Sequence, residues 1–159
     1  MNKTYLLLGS NIGNSRQQLL QAIKLIKKNT GRVTRQSKLY VTAAWGNTNQ
    51  PHFLNQVIVV ETTLTAIELI NNILVIENTM GRIRTVKNAP RIIDIDILFF
   101  NKEIIQQKDL IVPHPEIQNR RFVLVPLNEL SPGLKHPVLQ KTIHQLLKNC
   151  SDTLDVKKF

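Results

Sequence analysis

The chain has 159 residues, 42% of them hydrophobic, and a formal net charge of +10 from 21 Lys+Arg against 11 Asp+Glu. That apolar share supports a buried core and excludes a disordered chain, and a lone cysteine, Cys150, excludes an intramolecular disulfide. The longest apolar runs fall far short of the roughly 20 residues a membrane-crossing helix needs. The start Met1-Asn2-Lys3-Thr4-Tyr5 does not read as a signal peptide. The expectation is one soluble domain over 1–159 in a reducing, cytoplasmic setting. The charge favours anionic partners: nucleic acid, phosphate esters or a membrane surface.

Residues 5–8 read as a short buried strand, with Gly9-Ser10-Asn11-Ile12-Gly13 as the turn that stops it. A helix starts near Ser15, where Ser15 and Gln18 have capping-box spacing; Leu19, Ala22, Ile23 and Ile26 form its apolar stripe and Gly31 its stop. A polar-tolerant strand follows over 33–41, then a β-branched one over 53–63. Thr65 and Glu68 make a second capping box for a helix with Ala66, Leu69, Ile70, Ile73, Ile76 and Met80 on one side, ended by Gly81. A basic loop over 82–91 leads to a strand over 92–100. This β-α-β-β-α-β order predicts an α+β, ferredoxin-like fold: an antiparallel sheet with both helices on one face. Helical additions near 122–130 and 142–147 complete the chain.

The last strand carries the strongest chemical signal. Strand side chains alternate, so Asp94 and Asp96 share one face, about 6.7 Å apart at Cα, while Ile93, Ile95, Ile97 and Phe99 share the other. Two carboxylates on one face repel unless a cation or arginines neutralise them. An oxygen-only pair suits Mg²⁺ with substrate phosphates; a pair of solvated acids on an edge strand is the plain alternative. Arg82, Arg84, Lys87 and Arg91 lie just upstream with no acid between them. Guanidinium forks match phosphate oxygens, so the stretch has the divided labour of phosphoryl transfer. By spacing, Glu77 reads as a solubilising helix residue or the ion-pair partner of one of these arginines. His114 sits between Pro113 and Pro115, and Arg120 and Arg121 are either phosphate contacts or solvent-facing. Trp45, the only tryptophan, falls in a loop. Phe53 and Asn55 share a strand face, a pairing suited to a flat heterocycle and equally to a half-buried loop anchor. The Gly9–Gly13 turn lacks the Gly-Lys-Ser/Thr ending of a phosphate loop, and no Cys/His cluster fits zinc.

The run Lys87-Asn88-Ala89-Pro90-Arg91-Ile92-Ile93-Asp94-Ile95-Asp96-Ile97-Leu98 resembles the signature of the 6-hydroxymethyl-7,8-dihydropterin pyrophosphokinase family. Leu8-Gly9-Ser10-Asn11, Gln50-Pro51 with Phe53-Leu54-Asn55, Gly81-Arg82-Ile83-Arg84, Val112-Pro113-His114-Pro115 and Asn119-Arg120-Arg121-Phe122 extend the resemblance over nearly the whole chain. It implies transfer of pyrophosphate from ATP to the pterin hydroxymethyl group, with release of AMP, in folate biosynthesis. It implies that Asp94 and Asp96 hold two Mg²⁺ ions and that Arg82 and Arg91 stabilise the transferring phosphates. Arg84, His114 and Arg120 then serve the nucleotide phosphates, and Glu77 and Ile97 lie near the adenosine. Thr42, Ala43, Trp45, Phe53, Asn55 and Phe122 surround the pterin. The implied partners are these two small molecules, with no nucleic acid and no membrane, bound by a monomer. Asn88 stands where many members carry an aromatic, Ala43 where many carry proline, and Pro115 where many carry an aromatic.

Two rival readings stand beside this one. A ferredoxin-like nucleic-acid-binding module fits the charge and element order, but one Trp, two Tyr and five Phe leave no stacking run of the RNA-binding type. A pterin or nucleotide binder without catalysis is opposed by the presence of both aspartates and both principal arginines.

Overall fold

The computed structural model describes residues 1–44, 46, 49–82 and 89–159. Its centre is β1 (Asn2–Ser10), an almost wholly buried strand. On one side β1 pairs antiparallel with β5 (Asp94–Phe100), and on the other with β4 (Phe53–Thr62). Beyond β4 lie β2 (Arg32–Gln36) and β3 (Tyr40–Thr42), and β8 (Val156–Lys158) adds to β3. β5 therefore forms one edge of a six-stranded sheet.

The sequence places one strand over 33–41, yet two form. Ser37 separates them: its N–H donates to Val57 O at 2.8 Å, its Oγ accepts from Val57 N at 3.0 Å, and its carbonyl accepts from Gln56 Nε2 at 2.7 Å. Here the Val57 N–H of β4 is taken by a side-chain hydroxyl instead of a backbone carbonyl, and the regular ladder stops at Gln36. The hairpin of β6 (Ile105–Gln107) and β7 (Leu110–Val112), like β8, is too short to leave a periodic signal.

Helix α1 (Ser15–Asn29) is capped by Asn14, not by Ser15: Asn14 Oδ1 accepts from Gln17 N at 3.1 Å. Gly31 follows the Thr30 cap and serves close packing: a Cβ there would lie 2.2 Å from Glu61 O, a backbone atom that cannot rotate away. Gly31→Ala should thus lower stability by about 1–3 kcal/mol, as overpacking does, read as a fall in the urea midpoint at unchanged slope. Helix α2 (Ala66–Thr79) has the capping box expected from Thr65 and Glu68. At its end Gly81 takes φ +85°, which turns the chain so that Arg82 N donates back to Glu77 O at 3.1 Å.

Leu19, Ala22, Ile23 and Ile26 of α1 and Leu69, Ile73 and Ile76 of α2 pack on one sheet face over Leu6, Leu8, Ile58, Ile95 and Ile97. The C-terminal helices α3 (Arg121–Leu130) and α4 (Ile143–Lys148) cover the opposite face over Tyr5, Leu7, Val57 and Val59. One expectation fails here. Phe99 does not share the face of Ile93, Ile95 and Ile97; a bulge between Tyr5 and Leu6 leaves Leu98 without an opposite residue. Phe99 is thereby turned into the α3/α4 core beside Leu98, and Phe100 faces α1 and α2. Among the described residues no helix is long and apolar enough to cross a membrane.

Candidate active site

Strand register assembles the site. Asp94 lies opposite Gly9, Gly9 opposite Asn55, and Asn55 opposite Tyr40. Two residues along, Asp96 lies opposite Leu7; at the other end Phe53 lies opposite Thr42. Residues directly opposite share a face, so Asp94, Asp96, Leu7, Gly9, Asn55, Phe53 and Thr42 all point to the α3/α4 side. There they line a cleft with Ala43, Arg91, Arg120 and Phe122. Gly9 keeps the floor open: a Cβ on it would lie 2.8 Å from Asn55 Oδ1. Asn55 Nδ2 donates to Thr42 Oγ1 at 2.8 Å, so the amide and the hydroxyl are held in one orientation although both are buried.

A chain of charges runs under this cleft. Glu77, only 1% exposed, accepts through Oε2 from Arg82 Nη1 at 2.8 Å and from Ile95 N at 2.9 Å. The same Arg82 Nη1 donates to Asp94 Oδ1 at 2.6 Å, and Arg91 Nη1 donates to Asp94 Oδ2 at 3.1 Å. Burial opposes the charge of Arg82, but the two carboxylates outweigh it and raise its pKa, so the guanidinium stays charged. Arg91 also lies over the Phe53 ring, 5.4 Å from its centroid, and Arg120 over Phe122 at 5.8 Å.

Asp96 differs from Asp94. No side chain among the described residues bonds its carboxylate. Burial first, then the carboxylates of Asp94 and Glu77, push its pKa well above the usual carboxylate range. Among the described residues no cluster of three or more His, Cys, Asp or Glu could hold a metal. A pair of carboxylates completed by substrate phosphates and water is the donor set Mg²⁺ prefers, so the residues fit that ion.

Asp96 also lines a second, more open groove along the outer edge of β5. Ile70, Ile95, Ile97 and Leu110 give it an apolar wall, and Lys108, Asp109 and His114 a polar one. His114 follows a cis Val112–Pro113 bond, and its Nδ1 accepts from Glu116 N at 3.1 Å, so the neutral ring carries its proton on Nε2. Burial and then the charge of Arg120 lower its pKa to about 4. Its folded pKa thus lies below the ordinary 6.5, and the unfolded chain takes up the proton first. The stability this contributes is fully present above pH 6.5 and lost as pH falls toward 4. His114→Gln should flatten that part of the stability profile, read by urea unfolding across the window.

A profile of the family described as 7,8-dihydro-6-hydroxymethylpterin-pyrophosphokinase (HPPK) matches residues 5–132. The chain is 43% identical over 130 residues to the 2-amino-4-hydroxy-6-hydroxymethyldihydropteridine pyrophosphokinase of Bacillus subtilis, covering 81% of this chain and 78% of that one. The chain belongs to the HPPK family. The enzyme of the same name from Aquifex aeolicus is 39% identical over 145 residues, covering 91% of this chain and 90% of its own. The wild-type HPPK-DHPS crystal structure from Plasmodium falciparum shares the fold with a TM-score of 0.77 at 21% identity, over 92% of this chain and 44% of that one.

In this HPPK family member, five residues expected around a pterin (Thr42, Ala43, Phe53, Asn55 and Phe122) line one cleft with Asp94, Asp96 and Arg91. Arg120, expected at nucleotide phosphates, lines that cleft too. Ile97 and His114 line the edge groove. Glu77 lines neither; its carboxylate is committed to Arg82 and the Ile95 N–H, which agrees with the ion-pair reading from spacing and sets it behind the arginine. Trp45, Arg84, Lys87 and Asn88 lie outside the described residues. Arg121 opens α3, its N–H donating to Asp152 Oδ2 at 3.0 Å, and lines neither cavity. Sequence reasoning missed Ile70, Lys108, Asp109 and Leu110 as groove residues; Ile70 was visible only as part of a helix stripe, and the others carried no motif.

Proposed function

We propose that the chain transfers pyrophosphate from ATP to the hydroxymethyl group of 6-hydroxymethyl-7,8-dihydropterin, releasing AMP, with the closed cleft as the pterin seat and the edge groove as the nucleotide seat. The observation that carries this reading is the position of Asp96, which borders both cavities. A reaction joining two substrates at a highly charged phosphate needs its charge-handling groups at that border.

Phe53 and Phe122 offer ring faces to a flat heterocycle, and Asn55 Oδ1 and the Thr42 hydroxyl proton its edge. This holds the hydroxymethyl group toward Asp94 and Asp96. Its oxygen attacks the β-phosphorus of ATP, the Pα–O–Pβ bridge breaks with its oxygen leaving on AMP, and the hydroxyl proton is released. Asp94 and Asp96 would hold Mg²⁺, two ions by the family resemblance, which would supply positive charge to the phosphates. Arg82 and Arg91, which pair with Asp94 in this structure, are within reach of phosphates brought to the same carboxylate and stabilise the transferring group. Neutral His114 offers its Nε2 proton to a phosphate oxygen, and Glu77 holds Arg82 in place.

We take the enzyme to act as a monomer. The α1 and α2 faces on one side of the sheet support the ferredoxin-like description, with α3 and α4 as additions within a single domain over 1–159. The unpaired Cys150 accords with a cytoplasmic setting.

The direct test is nucleotide release from ATP and Mg²⁺ with and without the pterin. AMP formed only when all are present is the expected result. ADP would mean a different phosphoryl transfer, and no turnover by folded protein would favour a binding module.

A further inference from the structure

We propose that Asn11 is a positioning residue that locks the backbone of Arg91 to the segment leading into the pterin cleft; the proposal rests on the pyrophosphokinase reading above. Gly9–Gly13 reads from sequence as no more than a turn. In the structure β1 runs to Ser10, and Asn11 is the first residue beyond it, 4% exposed.

Its contacts go to two places at once. Asn11 N donates to Arg91 O at 3.1 Å, and Asn11 Oδ1 accepts from Arg91 N at 2.9 Å, so both backbone groups of Arg91 are held by one residue. On its other side, Asn11 Nδ2 donates to Gln50 Oε1 at 2.8 Å and to Pro51 O at 3.0 Å. The amide orientation is determined by its partners: reversed, it would set NH₂ against the Arg91 N–H and oxygen against the Pro51 carbonyl.

Each end leads to a functional group. Arg91 is three residues before Asp94 and donates to it; Pro51 is two residues before Phe53, over whose ring the Arg91 guanidinium lies at 5.4 Å. The Asn11 amide closes this circuit through the backbone. Among the described residues, the other hydrogen bonds of Arg91 come from its flexible side chain, its Nε donating to Ala89 O at 3.0 Å and its Nη1 to Asp94. A planar amide with donors on one side and an acceptor on the other is the one short side chain that satisfies both neighbours. Alanine leaves buried donors and acceptors without partners, and aspartate keeps the acceptor while losing both donors.

The experiment compares Asn11→Ala and Asn11→Asp, each alone and with Arg91→Ala, by kcat for AMP release, by pterin Kd from equilibrium binding, and by thermal unfolding. Wild type and Arg91→Ala serve as controls; wild type without AMP release overturns the pyrophosphokinase reading itself. Misplacement of a group by an ångström costs on the order of 100-fold, the fall expected in kcat for Asn11→Ala. In the Arg91→Ala background the same change should cost no more than about twofold, because the arginine it positions is gone. Asn11→Asp should keep kcat close to wild type and weaken pterin binding, since it preserves the Arg91 contact and breaks the one to Gln50 and Pro51. A kcat within about twofold of wild type for Asn11→Ala overturns the proposal, as does a loss that multiplies fully with that of Arg91→Ala, the sign of general structural damage. Where Asn11→Ala does not fold, Asn11→Asp decides alone: a kcat loss without a change in pterin Kd overturns the proposal.

Discussion

Asp96→Asn should reduce turnover by at least about 10³-fold while making the unliganded protein more stable at neutral pH. The activity loss follows from the border position of the carboxylate: a metal-holding, charge-neutralising site contributes several kcal/mol to the barrier, and about 1.4 kcal/mol is tenfold. The stability gain follows from the same group. Its carboxyl has no bonding partner among the described residues, and burial together with Asp94 and Glu77 raises its pKa from 3.8 to about 8. For an acid shifted upward, the unfolded chain loses its proton first, so the folded state loses ground as pH climbs from about 4 to 8 and then levels off. Asparagine removes that slope. The stability difference between variant and wild type should be small near pH 4 and grow toward pH 8, measured by urea unfolding without metal. A variant with near-normal turnover would remove the metal role; one less stable than wild type at pH 8 would mean that Asp96 is satisfied in the free protein. A site that stabilises its reaction at the expense of the resting fold is a familiar cost of preorganised charge.

Arg82→Ala and Arg91→Ala should look alike in catalysis and unlike in stability. Each removes one preorganised cation from the phosphates, so kcat should fall roughly 10²–10³-fold in both. The guanidinium of Arg82, however, is 11% exposed and bridges Glu77, 2% exposed, to Asp94. Its loss removes the 2.8 Å cationic partner of a buried carboxylate, and breaking such a pair costs about 3–5 kcal/mol. The Arg91 pair with Asp94 is more open, at 19% and 22% exposure, and Asp94 keeps Arg82 when Arg91 is gone. Arg91→Ala should therefore cost no more than about 1 kcal/mol. Kinetics of AMP release and denaturant unfolding on the same preparations separate the two. Equal stabilities would show that Glu77 does not depend on Arg82, and Glu77 would then be open to a direct role at the nucleotide.

These expectations draw unequally on sequence and structure. The Thr65 and Glu68 capping box is a contact three residues long, so α2 begins where the sequence places it. The shared face of Asp94 and Asp96 follows from a period of two within one strand and holds. Phe99, three residues beyond Asp96, breaks the same pattern because the bulge depends on how β1 pairs with β5, which no residue of β5 announces. Gly31 reads as a helix stop, and its packing against Glu61 O becomes visible only once the strand 30 residues away is in place. Glu77 has several arginines to choose from in sequence; the turn at Gly81 selects Arg82 by bringing its backbone to Glu77 O.

By itself the sequence determined what is local or compositional: the basic surface, the helices with their apolar stripes, the paired aspartates, the upstream arginines and the motifs that mark the HPPK family. Tertiary structure decided which of these meet. The strand order sets β5 at the sheet edge beside β1, and only there does one aspartate border both a closed aromatic cleft and an open groove. It also turned Asn11 from a turn residue into a clamp on Arg91, through contacts 39 to 80 residues apart in the chain. The physical reason is the same in each case: capping and periodicity act over a few residues, whereas register, bulges and buried ion pairs are settled by which distant strands share hydrogen bonds.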